Sequence, residues 1–66
     1  MVDKNGYPMR IGDAVLTDEP NGTDLFQHSF MGQVTRFREA YLVTVVDGDG
    51  DHFDIEPDRL EVQDNG

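Results

Sequence analysis

Two strand-like runs, residues 41–46 and 51–56, flank Asp47-Gly48-Asp49-Gly50. The first is nearly all β-branched or aromatic, the composition that favours a pleated, half-buried surface. The second alternates, with Phe53 and Ile55 set against His52, Asp54 and Glu56. This pair constrains the fold through register. Directly opposed residues share a face, so placing Tyr41, Val43 and Val45 with Phe53 and Ile55 on the core side requires a loop of odd length. A two-residue turn is excluded, and Gly48 or Gly50 is expected at positive φ in a bulged turn.

The other elements arrange themselves around this hairpin. Residues 10–16 read as a first strand, with Ile11 and Val15 apolar and Gly12-Asp13 between them; a glycine there marks a bulge or a close backbone approach. Residues 31–38 read as a second strand. Its apolar positions Val34 and Phe37 break strict alternation, which predicts a bulged, strongly bent strand, with Gly32 permitting the bend. Pro57 ends the fourth strand because it has no N–H for the ladder. Asp58-Arg59 then makes a tight 3₁₀ turn before Leu60-Glu61-Val62. Near the start, Asn5-Gly6 signals a turn.

Residues 17–29 form the longest irregular stretch. Glu19-Pro20-Asn21-Gly22 is a turn sequence, and Thr23 or Asp24 is placed to cap one short helical turn. Loops of this length in small domains are often functional. The segment carries Leu25, Phe26, His28 and, at its end, Phe30. The aromatic side chains either pack down over the core or stay exposed as a binding surface.

The layout resembles the SH3-like barrel superfamily, and within it KOW and Tudor-type modules. The carrying motifs are Gly-Asp-x-Val (Gly12, Asp13, Val15), Gly-x-Val-x-x-apolar (Gly32, Val34, Phe37), the hairpin, the 3₁₀ turn and the last strand. The chain is also similar to small bacterial and phage proteins with an Asp-x-Asn-Gly segment ahead of Gly-Asp-x-Val. The resemblance implies an all-β fold: a five-stranded SH3-like barrel over residues 1–66, core at about 9–63. KOW modules usually have a shorter first loop and a basic surface. Proline-peptide SH3 domains need a tryptophan, which this chain lacks.

At 66 residues the chain is one domain, and such a domain buries only about 60% of its unfolded surface. It has no cysteine, which excludes disulfides and thiolate chemistry. No apolar run approaches the roughly 18 residues of a membrane helix, and no signal peptide is recognisable. The expectation is a soluble, cytoplasmic monomer. The net charge is −9, from 14 acidic residues against five Lys and Arg. Such a surface repels phosphate backbones and attracts basic partners. The acids thicken after Val46: Asp47, Asp49, Asp51, Asp54, Glu56, Asp58, Glu61 and Asp64.

Specific sites are few. Asp47-x-Asp49-x-Asp51 begins like a calcium loop, but His52 stands where glycine is needed and Asp58 where the bidentate glutamate belongs; a turn built of turn-forming residues accounts for it. An aromatic cage for a methylated cation would draw on Tyr7, Phe26, Phe30, Phe37, Tyr41 and Phe53, although a small barrel needs most of these for its core. Arg36 and Arg38 share a strand face and suit a phosphate, a partner carboxylate or cross-strand acids. His52 and Asp54 are the better-placed pair of donors on one face, yet a solvated histidine is the simpler reading. With one serine, Ser29, and no phosphate-binding glycine loop, catalysis has no motif.

These observations point to a non-enzymatic interaction module without metal or cofactor. Its expected partner is a protein, bound through Leu25, Phe26, His28 and Phe30 with Arg36, Arg38 and Tyr41 on the adjacent strands. A nucleic-acid mimic that occupies a basic groove, or a KOW-like role in a nucleoprotein assembly through Arg36 and Arg38, are the alternatives.

Overall fold

The computed structural model describes residues 1–39 and 41–63; Asp64, the last of the acids above, lies outside them. Five strands form one antiparallel sheet: β1 (Ala14–Thr17), β2 (Met31–Arg38), β3 (Leu42–Val46), β4 (His52–Ile55) and β5 (Leu60–Val62). The spatial order is β4-β3-β2-β1-β5. β4 and β5 are the edges, and among the described residues no ladder joins them. There is no α-helix among the described residues, and no helix long and apolar enough to cross a membrane. A 3₁₀ turn, Pro57–Arg59, precedes β5 as the proline predicts.

The hairpin register agrees with the parity argument. Val43 opposes Ile55 and Val45 opposes Phe53, and the loop between β3 and β4 is residues 47–51. Gly50 takes φ 88°. Asp47 holds the turn together: its Oδ1 accepts the N–H groups of Asp49 and Asp51, both at 2.9 Å. Its carboxylate is thus already engaged by the backbone, which is the turn-forming role rather than the cation-binding one.

Tyr41 departs from expectation. It precedes β3, has φ 60° and is 79% exposed, so it belongs to the β2–β3 turn rather than the core face. β1 begins at Ala14, later than expected. Gly12 instead lies in a turn at φ 97°. Val34 bonds to Gly12 and to the residue after it: its carbonyl accepts from Gly12 N (2.7 Å) and its N–H donates to Asp13 O (2.9 Å). Two residues thus face one, as in a bulge.

The bend in β2 falls between Val34 and Arg36, where the ladder shifts at Thr35. Gly32 serves a different purpose from the one its position suggests. A Cβ there would lie 2.7 Å from the Val46 carbonyl oxygen and 3.0 Å from the Phe30 ring, and would overlap the Val45 side chain. The residue is small so that strand and loop can close on it.

The core is Met9, Val15, Phe26, Val34, Val43, Val45, Ile55 and Leu60, with Phe30, Phe53 and Val62 packed against it. The N-terminal segment completes the structure at the β5 edge. Asp3 is buried, and its carboxylate accepts from Val62 N at 2.7 Å and from Asn5 N and Tyr7 N at 2.9 Å. Lys4 N donates to Leu60 O at 3.0 Å. The outer backbone of β5 is therefore occupied by the chain's own first residues, one of the ways proteins protect a sheet edge.

Candidate functional site

The long loop, residues 18–30, is fixed from three directions. At its base Thr17 N donates to Phe30 O (3.0 Å), Phe30 N to Thr17 Oγ1 (3.0 Å) and Ser29 Oγ to Thr17 O (2.6 Å). At its middle Asn21 and Asp24 bond reciprocally, Asn21 N to Asp24 Oδ2 (2.8 Å) and Asp24 N to Asn21 O (3.2 Å). This looks like the opening of a helix, but no helix follows. Asp24 instead turns to Arg59, whose two terminal nitrogens meet its two carboxylate oxygens at 2.9 and 2.6 Å. A bidentate pair of this kind fixes orientation as well as distance.

The pair is mostly shielded from solvent, with side-chain exposures of 18% for Arg59 and 12% for Asp24. The hydrogen-bonded Arg59 guanidinium, joined by the Asn21 N–H, lowers the Asp24 pKa to about 2. Arg59 in turn is raised above its ordinary range, chiefly by that same hydrogen bond. The guanidinium carbon also stands 6.0 Å from the centroid of the Phe26 ring.

Beneath the loop, three rings converge. Phe26 meets Phe30 at 5.3 Å and Phe53 at 5.5 Å, both edge-on; Phe30 and Phe53 are 5.5 Å apart. These distances and tilts are the favourable ones for aromatic pairs. Phe26 is only 7% exposed. It supports the loop from inside and reaches solvent only as part of a cleft floor, so it is not the exposed side chain that one reading of the sequence allowed, and Phe30 is half-buried beside it. The rings pack against one another as mutual supports for the loop.

What the loop does present is Leu25, 84% exposed, and His28, also exposed. Two shallow clefts run beside them. In one, Thr23, Asp24, Leu25 and Phe26 face His52, Phe53 and Asp54 across about 290 Å³. In the other, Leu25, His28 and Phe30 face Asp47, Asp49 and Asp51 at the hairpin tip. An apolar side chain and an acidic rim thus lie side by side on a braced support.

Arg36, Arg38 and Tyr41 lie elsewhere. Met31 and Val46 mark the loop end of β2 and β3, whereas Arg38 opposes Leu42 at the other end, about 20 Å away at strand spacing. Arg36 and Arg38 are both exposed, and Arg38 Nε is 3.5 Å from Asp54 Oδ2. Asp54 also accepts from Thr44 Oγ1 at 2.6 Å. The cross-strand role suffices for Arg38. The seven residues expected to form one face therefore divide into two groups, with Asp54 between them: it pairs with Arg38 and also lines the cleft beside Leu25.

No group of three or more His, Asp or Glu residues among those described is arranged to hold a metal ion. Arg59 and Asp3 were not singled out in sequence as organising residues. Asp3 has a local signal, the Asx-type turn before Asn5-Gly6, but nothing near it indicates Val62. Arg59 stands in a tight turn, and its partner Asp24 is remote in sequence. No protein-family model, curated protein or solved structure matches the chain.

Proposed function

We propose that the domain is a small SH3-like barrel of KOW or Tudor type that acts as a non-enzymatic protein-interaction module in the cytoplasm, as a monomer. Its contact face is the braced loop around Leu25 and His28 together with the acidic hairpin tip at Asp47, Asp49 and Asp51. The strand order and the 3₁₀ turn before β5 support the fold reading. One observation carries the functional reading: a leucine 84% exposed on a loop that is otherwise clamped by Thr17, Arg59 and three packed phenylalanines. A rigid support lowers the entropy lost when a partner docks. The acidic rim selects for positive charge and speeds encounter.

The test is a comparison of wild type with Leu25→Asp as baits in lysate, with nuclease present throughout and at two salt concentrations. A partner retained by wild type and lost by the variant supports the assignment. A partner that binds both equally removes Leu25 from the face. Binding of a basic nucleic-acid-binding protein that is indifferent to Leu25 and vanishes in salt would support the mimic instead.

A further inference from the structure

The two edges of the sheet are treated differently. β5 is covered: Asp3 accepts from Val62 N and Lys4 donates to Leu60 O. β4 has no such cover among the described residues. The hairpin register shows which of its backbone groups are free. Asp47 N donates to Asp51 O at 3.0 Å, and the pairing continues as Val46–His52, Val45–Phe53, Thr44–Asp54 and Val43–Ile55. Antiparallel ladders alternate bonded and non-bonded pairs. Phe53 and Ile55 therefore bond to β3, while the N–H and C=O groups of His52 and Asp54 point away from the sheet.

That free edge borders the cleft in which Thr23, Asp24, Leu25 and Phe26 face His52, Phe53 and Asp54. We propose that β4 is a strand-addition site, and that its occupant is an extended partner segment in which apolar and basic residues alternate. The proposal rests on the interaction-module reading and states how the partner would bind. Side chains on a strand alternate between faces. Those on the core side of an added strand would meet Leu25 and the Phe26–Phe53 floor. Those on the other side would lie beside His52 and Asp54.

Charge decides between occupants. From Asp47 to Arg59 the chain carries Asp47, Asp49, Asp51, Asp54, Glu56 and Asp58, and one cation, Arg59. That cation is engaged by Asp24 and Glu56. A second copy paired edge to edge would set these acids against each other, on chains of net charge −9, and like charges across strands destabilise pairing. A basic segment meets one cation beside the edge, Arg38, whose Nε lies 3.5 Å from Asp54 Oδ2, against these six acids. The same acids that recruit it prevent the edge from joining its own kind, a common use of charge on an open strand.

The test is an NMR titration with a synthetic decapeptide alternating lysine and valine, at low salt. Bound peptide should slow exchange of the His52 and Asp54 amides at least about tenfold, since both gain a hydrogen bond. His52→Pro removes one outward N–H without touching the β3 ladder, at the first residue of a strand where proline is tolerated. It should weaken binding about tenfold, whereas His52→Ala stays within about twofold. If the proline variant does not fold, amide exchange in the wild-type complex decides alone. Shifts confined to Leu25, His28 and the hairpin tip, with both β4 amides unprotected, overturn strand addition and leave the interaction face standing. No shift at either place overturns both. Protected His52 and Asp54 amides in a dimer of the free protein would mean that a second copy takes the edge, and would also overturn the proposal.

Discussion

Phe26→Ala and Leu25→Ala, adjacent substitutions in one loop, should have opposite consequences. Phe26 is 7% exposed and packs edge-on against both Phe30 and Phe53. Truncating a buried phenylalanine costs about 3–5 kcal/mol. The lower end applies here, about 3 kcal/mol, because the floor borders open clefts into which water can enter. A domain of this size has only about 3–10 kcal/mol of stability in all. At an unfolding entropy of roughly 0.14 kcal/mol/K, the loss corresponds to a fall in Tm of about 20 °C. Leu25 is 84% exposed, so its truncation should stay within about 0.5 kcal/mol, a few degrees. Thermal unfolding followed by circular dichroism measures both. Partner binding should show the reverse order, with Leu25→Ala impaired at temperatures where both variants are folded. A Phe26→Ala protein that melts within a few degrees of wild type, or a Leu25→Ala protein that melts as low as Phe26→Ala is expected to, would refute the division between support and surface.

Other expectations follow from the same geometry. Gly32→Ala drives a methyl group toward the Val46 carbonyl and the Phe30 ring, so it should cost about 1–3 kcal/mol in a urea titration. Asp3→Asn replaces an acceptor of three backbone N–H groups by a group that must turn a donor toward one of them; a loss of about 2 kcal/mol is expected. Burial by itself would raise the Asp3 pKa, but the N–H groups of Val62, Tyr7 and Asn5 outweigh it and hold the carboxyl below its ordinary value. Asp24 is depressed to about 2 by Arg59. Both folded pKa values lie below the unfolded ones, so the stabilisation is complete above about pH 4 and fades as pH falls through the folded values. The stability difference between wild type and Asp24→Asn should therefore be constant at neutral pH and shrink between about pH 4 and pH 2. A difference that persists unchanged to pH 2 would remove the ion pair as its cause.

Much of the fold is written in local patterns. The parity of Tyr41, Val43 and Val45 against Phe53 and Ile55 dictated an odd loop, and residues 47–51 provide one, with Gly50 at positive φ. Pro57 ended β4, and the spacing of Val34 and Phe37 marked a ladder shift. Parity fails at a strand end, because a turn can rotate the next residue away; Tyr41, at φ 60°, is such a case. Gly32 was legible as special but not for its reason, since the close approach involves Val45, Val46 and Phe30 from other segments. The loop was the least legible part. Local sequence favoured a capped helical turn at Thr23 or Asp24, and a remote arginine redirected Asp24 instead. Phe26 and Phe30 could be read either as core or as surface because residues 17–29 have no periodicity that assigns sides. The ring of Phe53 decided it.

The most direct test of the account is amide hydrogen exchange across the free domain, resolved residue by residue. With one edge of its sheet covered and the other left open beside a braced loop, the domain should show slow exchange at Val62 and Lys4, whose N–H groups are bonded to Asp3 and Leu60. Phe53 and Ile55 should exchange slowly as well, but His52 and Asp54, whose N–H groups face outward, should exchange fast. Protection at His52 and Asp54 in the monomer, or rapid exchange at Val62 and Lys4, would contradict this arrangement.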